Sequence, residues 1–314
     1  MLPTYELGVR IPASLKEIQE RAVVKLHREL LYACALIALI LPAAAYGKIS
    51  DQDLRNEYEG KVLTLRRPYW GPRLHFNSAG DPSGETSIGS WTIAGQVRVR
   101  GVDVKNGVLR LRGQRLFLFY DPASKSLRDA GSLAEGDPAS KYFRDKISDW
   151  VASVGKVEIE VETGEPEPTM ADVARSMNAV FLSPGELLTD AVPVFWKKWL
   201  EPRTEPSKAA ANGGAAERTV SKVGHGVTAP HLKYDPDPQY SGVGREAKYQ
   251  GTSVLWLIVG EDGAPRDIRI AKPLGMGLDD EAVRTVATWK FDPAMKDGTP
   301  VPVMINVEVN FRLH

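Results

Sequence analysis

From Val303 to Leu313 apolar and polar residues alternate without a break. Val303, Ile305, Val307, Val309, Phe311 and Leu313 fall on one phase, Met304, Asn306, Glu308, Asn310 and Arg312 on the other. This period of two predicts a strand with one buried and one wetted face. Lying last in the sequence, it predicts an outer edge that nothing covers, able to take an extended peptide by backbone hydrogen bonding. The text before it predicts a compact unit. Tyr240–Gln250 reads as a short helix ending at Gly251, and Thr252–Val259 is apolar on both faces, as a central strand is. Glu261-Asp262-Gly263 turns into a second strand, Arg266–Ala271. A helix through Trp289 follows, with Asp279 as its cap and Asp280 and Glu281 in its first turn, and Asp297-Gly298 turns into the last strand.

The first half predicts a β-rich domain over 48–203. Lys61–Arg66 and Lys156–Glu162 alternate, the latter with Val157, Ile159 and Val161 inward. Gln96–Val104 and Val108–Tyr120 flank Asn106-Gly107, which suits positive φ at both central hairpin positions. The apolar phase of the first of these strands shifts at Gly101, which predicts a bulge. Leu116–Phe119 is apolar throughout and predicts a central or doubly covered strand position. Thr169–Phe181 opens as a capping box with Asp172 and reads as a helix. A second helix over Glu186–Leu200 carries Phe195, Trp196 and Trp199, an aromatic stripe read as docked on its own sheet. Between the halves, 204–226 is rich in Pro, Ala, Gly and Ser and reads as a flexible linker.

Leu30–Ala45 is the one long apolar run. Arg21, Lys25, His27 and Arg28 precede it, and Pro42 and three alanines close it, the three-part pattern of a cleaved signal peptide. An uncleaved anchor is the alternative, although a spanning helix wants about 20 apolar residues. The polar stretch ahead of the run is long for a signal, which suggests a translation start near Val23 or Val24. Cleavage after the alanines would remove Cys34, the sole cysteine, and suits an oxidising periplasm. Forty basic residues balance forty acidic ones, so no overall field and no basic stripe directs the chain to nucleic acid.

The helix–strand–strand–helix–strand order resembles the C-terminal domain of the TonB energy transducers. The residues that carry the resemblance are Pro238 and Tyr240 before the first helix, Tyr249-Gln250-Gly251 at the first strand, and the Asp262-Gly263 hairpin. Gly277-Leu278-Asp279 at the second helix, Trp289-Lys290-Phe291 with Pro293-Ala294, and Gly298 with Pro300-Val301 complete the set. It covers about 230–313. The resemblance implies an α+β fold, with two helices on a three-stranded antiparallel sheet behind the β-rich domain. It also implies that the last strand pairs with an extended segment, the TonB box, of an outer-membrane transporter or other envelope protein. The residues so implicated are Val303, Ile305, Asn306, Val307, Glu308, Val309, Asn310, Phe311 and Arg312. Such transducers keep an N-terminal helix bearing a serine and a histidine that engages the ExbB–ExbD proton motor. The apolar run here has neither, so the resemblance does not extend to that coupling.

No catalytic constellation stands out, and the chain reads as a non-enzyme without cofactor or metal. His225, His231, Asp235 and Asp237 lie in a Pro/Gly-rich approach that reads as solvated loop. Gly242-Val243-Gly244 lacks the preceding strand and third glycine of a phosphate loop. Glu158 and Glu160 share a solvated strand face, and His75 beside Phe76, near Tyr69, Trp70 and Trp91, reads as part of a β-domain, with a glycan groove as the rival. The functional expectation is a periplasmic, transport-related adaptor that binds an extended peptide by strand addition, with pairing of two copies along the same edge left open. A membrane-anchored short transducer and an envelope enzyme with a TonB-like targeting module are the alternatives.

Overall fold

The computed structural model describes residues 49–143, 147–200 and 220–313. The apolar run and most of the expected linker lie outside them. The fold is mixed α and β.

A six-stranded sheet organises the first half, in the order β1 (Val62–Thr64), β6 (Gln96–Lys105), β7 (Val108–Arg115), β10 (Lys156–Glu162), β3 (Arg73–Phe76), β4 (Pro82–Ser83). All its pairs are antiparallel except β10 with β3. Asn106 and Gly107, at φ 50° and 75°, close the β6–β7 hairpin, and the register shifts between Val99 and Gly101, where the apolar phase predicts a bulge. One face of the sheet is apolar and buries Val97, Val99, Leu109, Leu111, Ile159 and Val161. Helices α1 (Asp51–Tyr58) and α4 (Met170–Val180) cover it with Leu54, Val173 and Met177. Each helix starts at a reciprocal capping box, Ser50 with Asp53 and Thr169 with Asp172. The other face is charged. Arg110 lies 2.7 Å from Glu160, Arg112 lies 2.9 Å from Asp103, and His75 sits between Glu160 and Glu162.

Leu116–Phe119 departs from expectation. β7 stops at Arg115, and β8 (Leu118–Asp121) leaves the large sheet to pair with β9 (Ser126–Asp129). The segment is apolar on all sides because it enters a second core, which also contains Leu255, Leu257, Met276, Leu278, Val286 and Phe311 from the C-terminal half. Leu274–Gly277 lies along β8: Tyr120 N–H donates to Leu274 O at 2.9 Å and Met276 N–H to Leu118 O at 2.6 Å. Gly275 has φ 95°, and a Cβ there would stand 2.4 Å from Leu118 O, so the approach requires glycine. Gly277 N–H donates to Thr92 Oγ1 of α2 (Trp91–Ala94).

The C-terminal sheet is β13 (Pro265–Lys272), β12 (Gly251–Val259), β17 (Val303–Phe311), antiparallel throughout. Helices α6 (Gly242–Glu246) and α7 (Leu278–Val286) carry Val243, Leu278, Ala282 and Val286 into the shared core. The first of these helices is shorter than the expected Tyr240–Gln250. A two-stranded sheet of β11 (His231–Tyr234) with β14 (Lys290–Asp292) and a small hairpin of β15 (Ala294–Lys296) with β16 (Thr299–Val301) complete the module.

Two expectations are corrected. The helix over Glu186–Leu200 is a short turn at Leu188–Asp190 followed by α5 (Val194–Leu200), because Pro193 cannot continue a helix from the residues before it. The stripe is docked: Trp196 is fully buried 5.3 Å from Trp91, and Trp199 packs on Tyr120. The second correction is Asp279, which is not the helix cap. Gly277, at φ 76°, holds that place, and Asp279 is fully buried, accepting from Leu274 N–H, Gly275 N–H and Ser253 Oγ–H. Burial pushes its carboxyl up to about 6, against the pull of those donors.

Two predictions follow from this packing. Phe119 is fully buried and meets Phe143 at 5.2 Å and Tyr249 at 6.3 Å, so Phe119→Ala should cost about 3–5 kcal/mol. Urea unfolding should show one cooperative transition moved down for both halves; a C-terminal half that keeps its wild-type midpoint contradicts the shared core. The second concerns Asp280, whose carboxyl is raised from 3.8 to about 7, chiefly by burial and then by the Asp279 charge. A raised carboxyl stabilises the fold while protonated, and that stability is lost as pH rises through the folded value. Asp280→Asn should therefore gain on wild type, by roughly 1–2 kcal/mol after allowance for partial exposure, as pH rises through that window. Denaturant midpoints of the two proteins across the window check this; a constant difference contradicts it.

Candidate functional site

In β17 the odd residues face the core and the even residues face outward. Val303, Val309 and Phe311 are buried, Ile305 and Val307 half-buried, and Met304, Asn306, Glu308 and Asn310 exposed. Phe311 is held edge-on by Tyr240, ring centres 5.4 Å apart. Arg312 lies exposed just past the strand end, and Leu313 N–H donates to the Gln250 side chain.

One side of β17 is paired with β12 along its whole length, from Val303 opposite Val259 to Phe311 opposite Gly251. On the other side the described residues offer a single contact: Ser221 N–H donates to Pro302 O at 2.8 Å, and Ser221 bridges Val303 in parallel. This contact fixes the parity of the edge. Pro302 O points outward, and backbone groups change side with each residue. The N–H and C=O groups of Met304, Asn306, Glu308 and Asn310 therefore point to the open side, while those of Val303, Ile305, Val307, Val309 and Phe311 pair with β12. The hairpin agrees, since Gly260 N–H donates to Ala264 O, toward β13. Pro302 sits at the strand entrance, where a missing donor is tolerated.

The residues named from sequence thus divide. Val303, Val309 and Phe311 hold the strand on its core, Asn306, Glu308 and Asn310 carry the outward backbone, and Ile305 and Val307 form a half-covered apolar rim beside it. Met304, 45% exposed at the start of the open edge, is missing from the sequence-based set. Its place in the alternation would have found it. Asn310 is partly engaged, its Oδ1 accepting from Thr252 Oγ1 at 2.6 Å.

The first half docks elsewhere on the module. It meets the Leu274–Gly277 loop and the β13 side, where Arg269 reaches Val194 O at 3.4 Å and the Lys198 ammonium lies 4.4 Å from the Trp256 ring centre. The other sequence candidates do not form a site. Glu158 and Glu160 are tied to Arg110 on the charged sheet face. His75 is on that face too, its pKa raised first by the Glu162 hydrogen bond, while Trp91 is buried in the fold's second core. Among the described residues His225, His231, Asp235 and Asp237 form no metal-ligand cluster.

The family model for the "Gram-negative bacterial TonB protein C-terminal" matches residues 236–313. Protein tonB2 of Pseudomonas aeruginosa is 29% identical over 82 residues, a match spanning 26% of this chain and 30% of that protein. A solution NMR structure of the Pseudomonas aeruginosa TonB CTD covers 31% of this chain and 98% of its own, at 15% identity and a TM-score of 0.24. Residues 236–313 are a TonB C-terminal domain.

The parity assignment predicts unequal effects of proline along β17. Val307→Pro removes a bond to β12 and should cost roughly 3 kcal/mol or more, whereas Asn306→Pro loses only an unpaired donor and should cost clearly less. Thermal or urea unfolding of the two variants checks this. The reverse order contradicts the assignment.

Proposed function

We propose that the open edge of β17 takes an extended peptide from an envelope partner by strand addition, and that the chain acts as a TonB-like, transport-related periplasmic adaptor. The domain it carries is that of a non-enzymatic envelope family. The observation that supports the reading best is the long outer side of β17, unpaired among the described residues beyond the Ser221 contact.

Magnitudes set the character of the binding. Asn306, Glu308 and Asn310 offer six outward main-chain groups. At about 0.5–1.5 kcal/mol each they supply on the order of 3–9 kcal/mol. Ordering the peptide costs about 1–2 kcal/mol per residue, which nearly cancels that gain. Side chains must therefore supply the surplus. The guest residues above the half-buried Ile305 and Val307 should be apolar, since they extend the core. Those beside Asn306 and Glu308 should be polar. The first half, built into the same core, holds the module rigid, and its charged sheet face is a second surface for attachment. No helix among the described residues is long and apolar enough to cross a membrane. The secretion signal expected at Leu30–Ala45 is part of the proposal and lies outside the described residues.

Affinity capture from an envelope extract with the tagged full chain tests this. Wild type should retain a specific partner and Asn306→Pro should lose it, with the circular dichroism and melting of the variant kept. Capture that is unchanged in the folded variant, or a partner retained through the charged sheet face alone, rejects strand addition at this edge.

A further inference from the structure

A cavity of about 470 Å³ opens where the first half meets the C-terminal module. Its size is that of small-molecule sites. One wall is aromatic and aliphatic: Trp70 and Trp150, both backed by Phe117 at 6.4 and 6.0 Å, with Ile88 and Val154 at the mouth. Ile88 is 62% exposed and Val154 42%, so apolar surface stands open to solvent beside the tryptophans. The opposite wall, from α6 and α7, is charged and carries Glu246, Asp280, Glu281 and Arg284.

The hydrogen-bonding capacity of this lining decides what it can recognise. Ser90 Oγ–H donates to Gly277 O, and Ser241 Oγ–H donates to Met276 O while its oxygen accepts from Gly244 N–H. These two hydroxyls are occupied by the fold, which leaves Ser87 and the two indole N–H groups as the neutral side-chain donors of the lining. Arg284 pairs with Glu281, so those two charges offset each other. What remains is Glu246, which makes no ion pair among the described residues, and Asp280. Burial and the Asp279 charge raise the Asp280 carboxyl to about 7, opposed by Arg284 and the Trp196 indole and reinforced by Glu281. The site therefore pairs an apolar, π-faced wall with one uncompensated carboxylate, Glu246, and with Asp280, whose carboxyl is ionised only in part near neutral pH.

We propose that this cavity binds a small organic cation with an apolar or aromatic body, an arylalkyl ammonium in the simplest form. Its body lies against Trp70 and Trp150, and its ammonium faces Glu246 and Asp280. The Glu246 carboxylate attracts the ammonium, and the apolar body displaces water from the tryptophan wall. Because the walls come from both halves, the ligand would be held only by the assembled chain. The inference does not depend on strand addition at β17, which lies on another part of the module.

Phenethylammonium titrated into the full chain, followed by tryptophan fluorescence and saturation-transfer NMR, tests the proposal. Saturable binding is expected, with phenethyl alcohol and phenylpropionate at least about tenfold weaker. Trp150→Ala and, separately, the surface change Glu246→Lys should each weaken it by a similar factor, the second without risk to folding. Equal binding of the neutral alcohol and the ammonium, an unchanged affinity in Glu246→Lys, or no saturation by phenethylammonium overturns it.

Discussion

The seating of Leu274–Gly277 along Leu118–Tyr120 is the contact on which the rest depends. Two main-chain bonds, from Tyr120 N–H and Met276 N–H, run across it, and Gly275 is the residue that lets the two backbones approach. Asp279 fixes the loop from behind by accepting from Leu274 and Gly275 N–H, and its link to Ser253 ties the same carboxyl to the central strand. A buried carboxylate is costly, and three donors make this one tolerable. Through it the loop, α7 and β12 hold a single relation to the first half. The core then runs without interruption from Phe117 and Phe119 to Leu257 and Phe311.

That seating assigns the surfaces of the module. Its helices pack into the core shared with the first half and α5 lies by Arg269 and Trp256, while β13 and β17 are the two edge strands of the sheet. Exposed edges invite unwanted pairing, and proteins blunt them with proline, charge or short length. Here the protection is light: Pro302 and the Ser221 contact at the entrance, and Glu308 midway. Among the described residues nothing else pairs with the outer side of this nine-residue strand.

Much of this was legible in the sequence wherever the information is local. Period two marks β10 and β17, an apolar run on both faces marks β12, Asn106-Gly107 marks a hairpin, the phase change at Gly101 marks a bulge, and Thr169 with Asp172 marks a helix start. What depends on partners distant in sequence was not legible. Asp279 has the spacing of a surface cap, and only its burial against Ser253 and Gly275 gives it another role. Leu116–Phe119 has the composition of a central strand, yet its apolar sides face a core to which both the neighbouring Phe143 and Val151 and the distant Leu257 and Met276 contribute. Strands of two or three residues, such as Tyr69–Trp70 and Ser87–Ile88, are too short to show a period. At the edge itself, alternation locates the strand and its two side-chain faces but not which backbone groups point away from β12, so the set implied by the resemblance mixes both phases and lacks Met304.

Residue-resolved amide hydrogen exchange on the free full-length protein tests the central claim most directly. The account predicts a sawtooth along the last strand, with slow exchange at Ile305, Val307 and Val309, which bond to β12, and fast exchange at Asn306, Glu308 and Asn310. Equal protection on both phases would show that the outer edge is already paired, and would contradict the account.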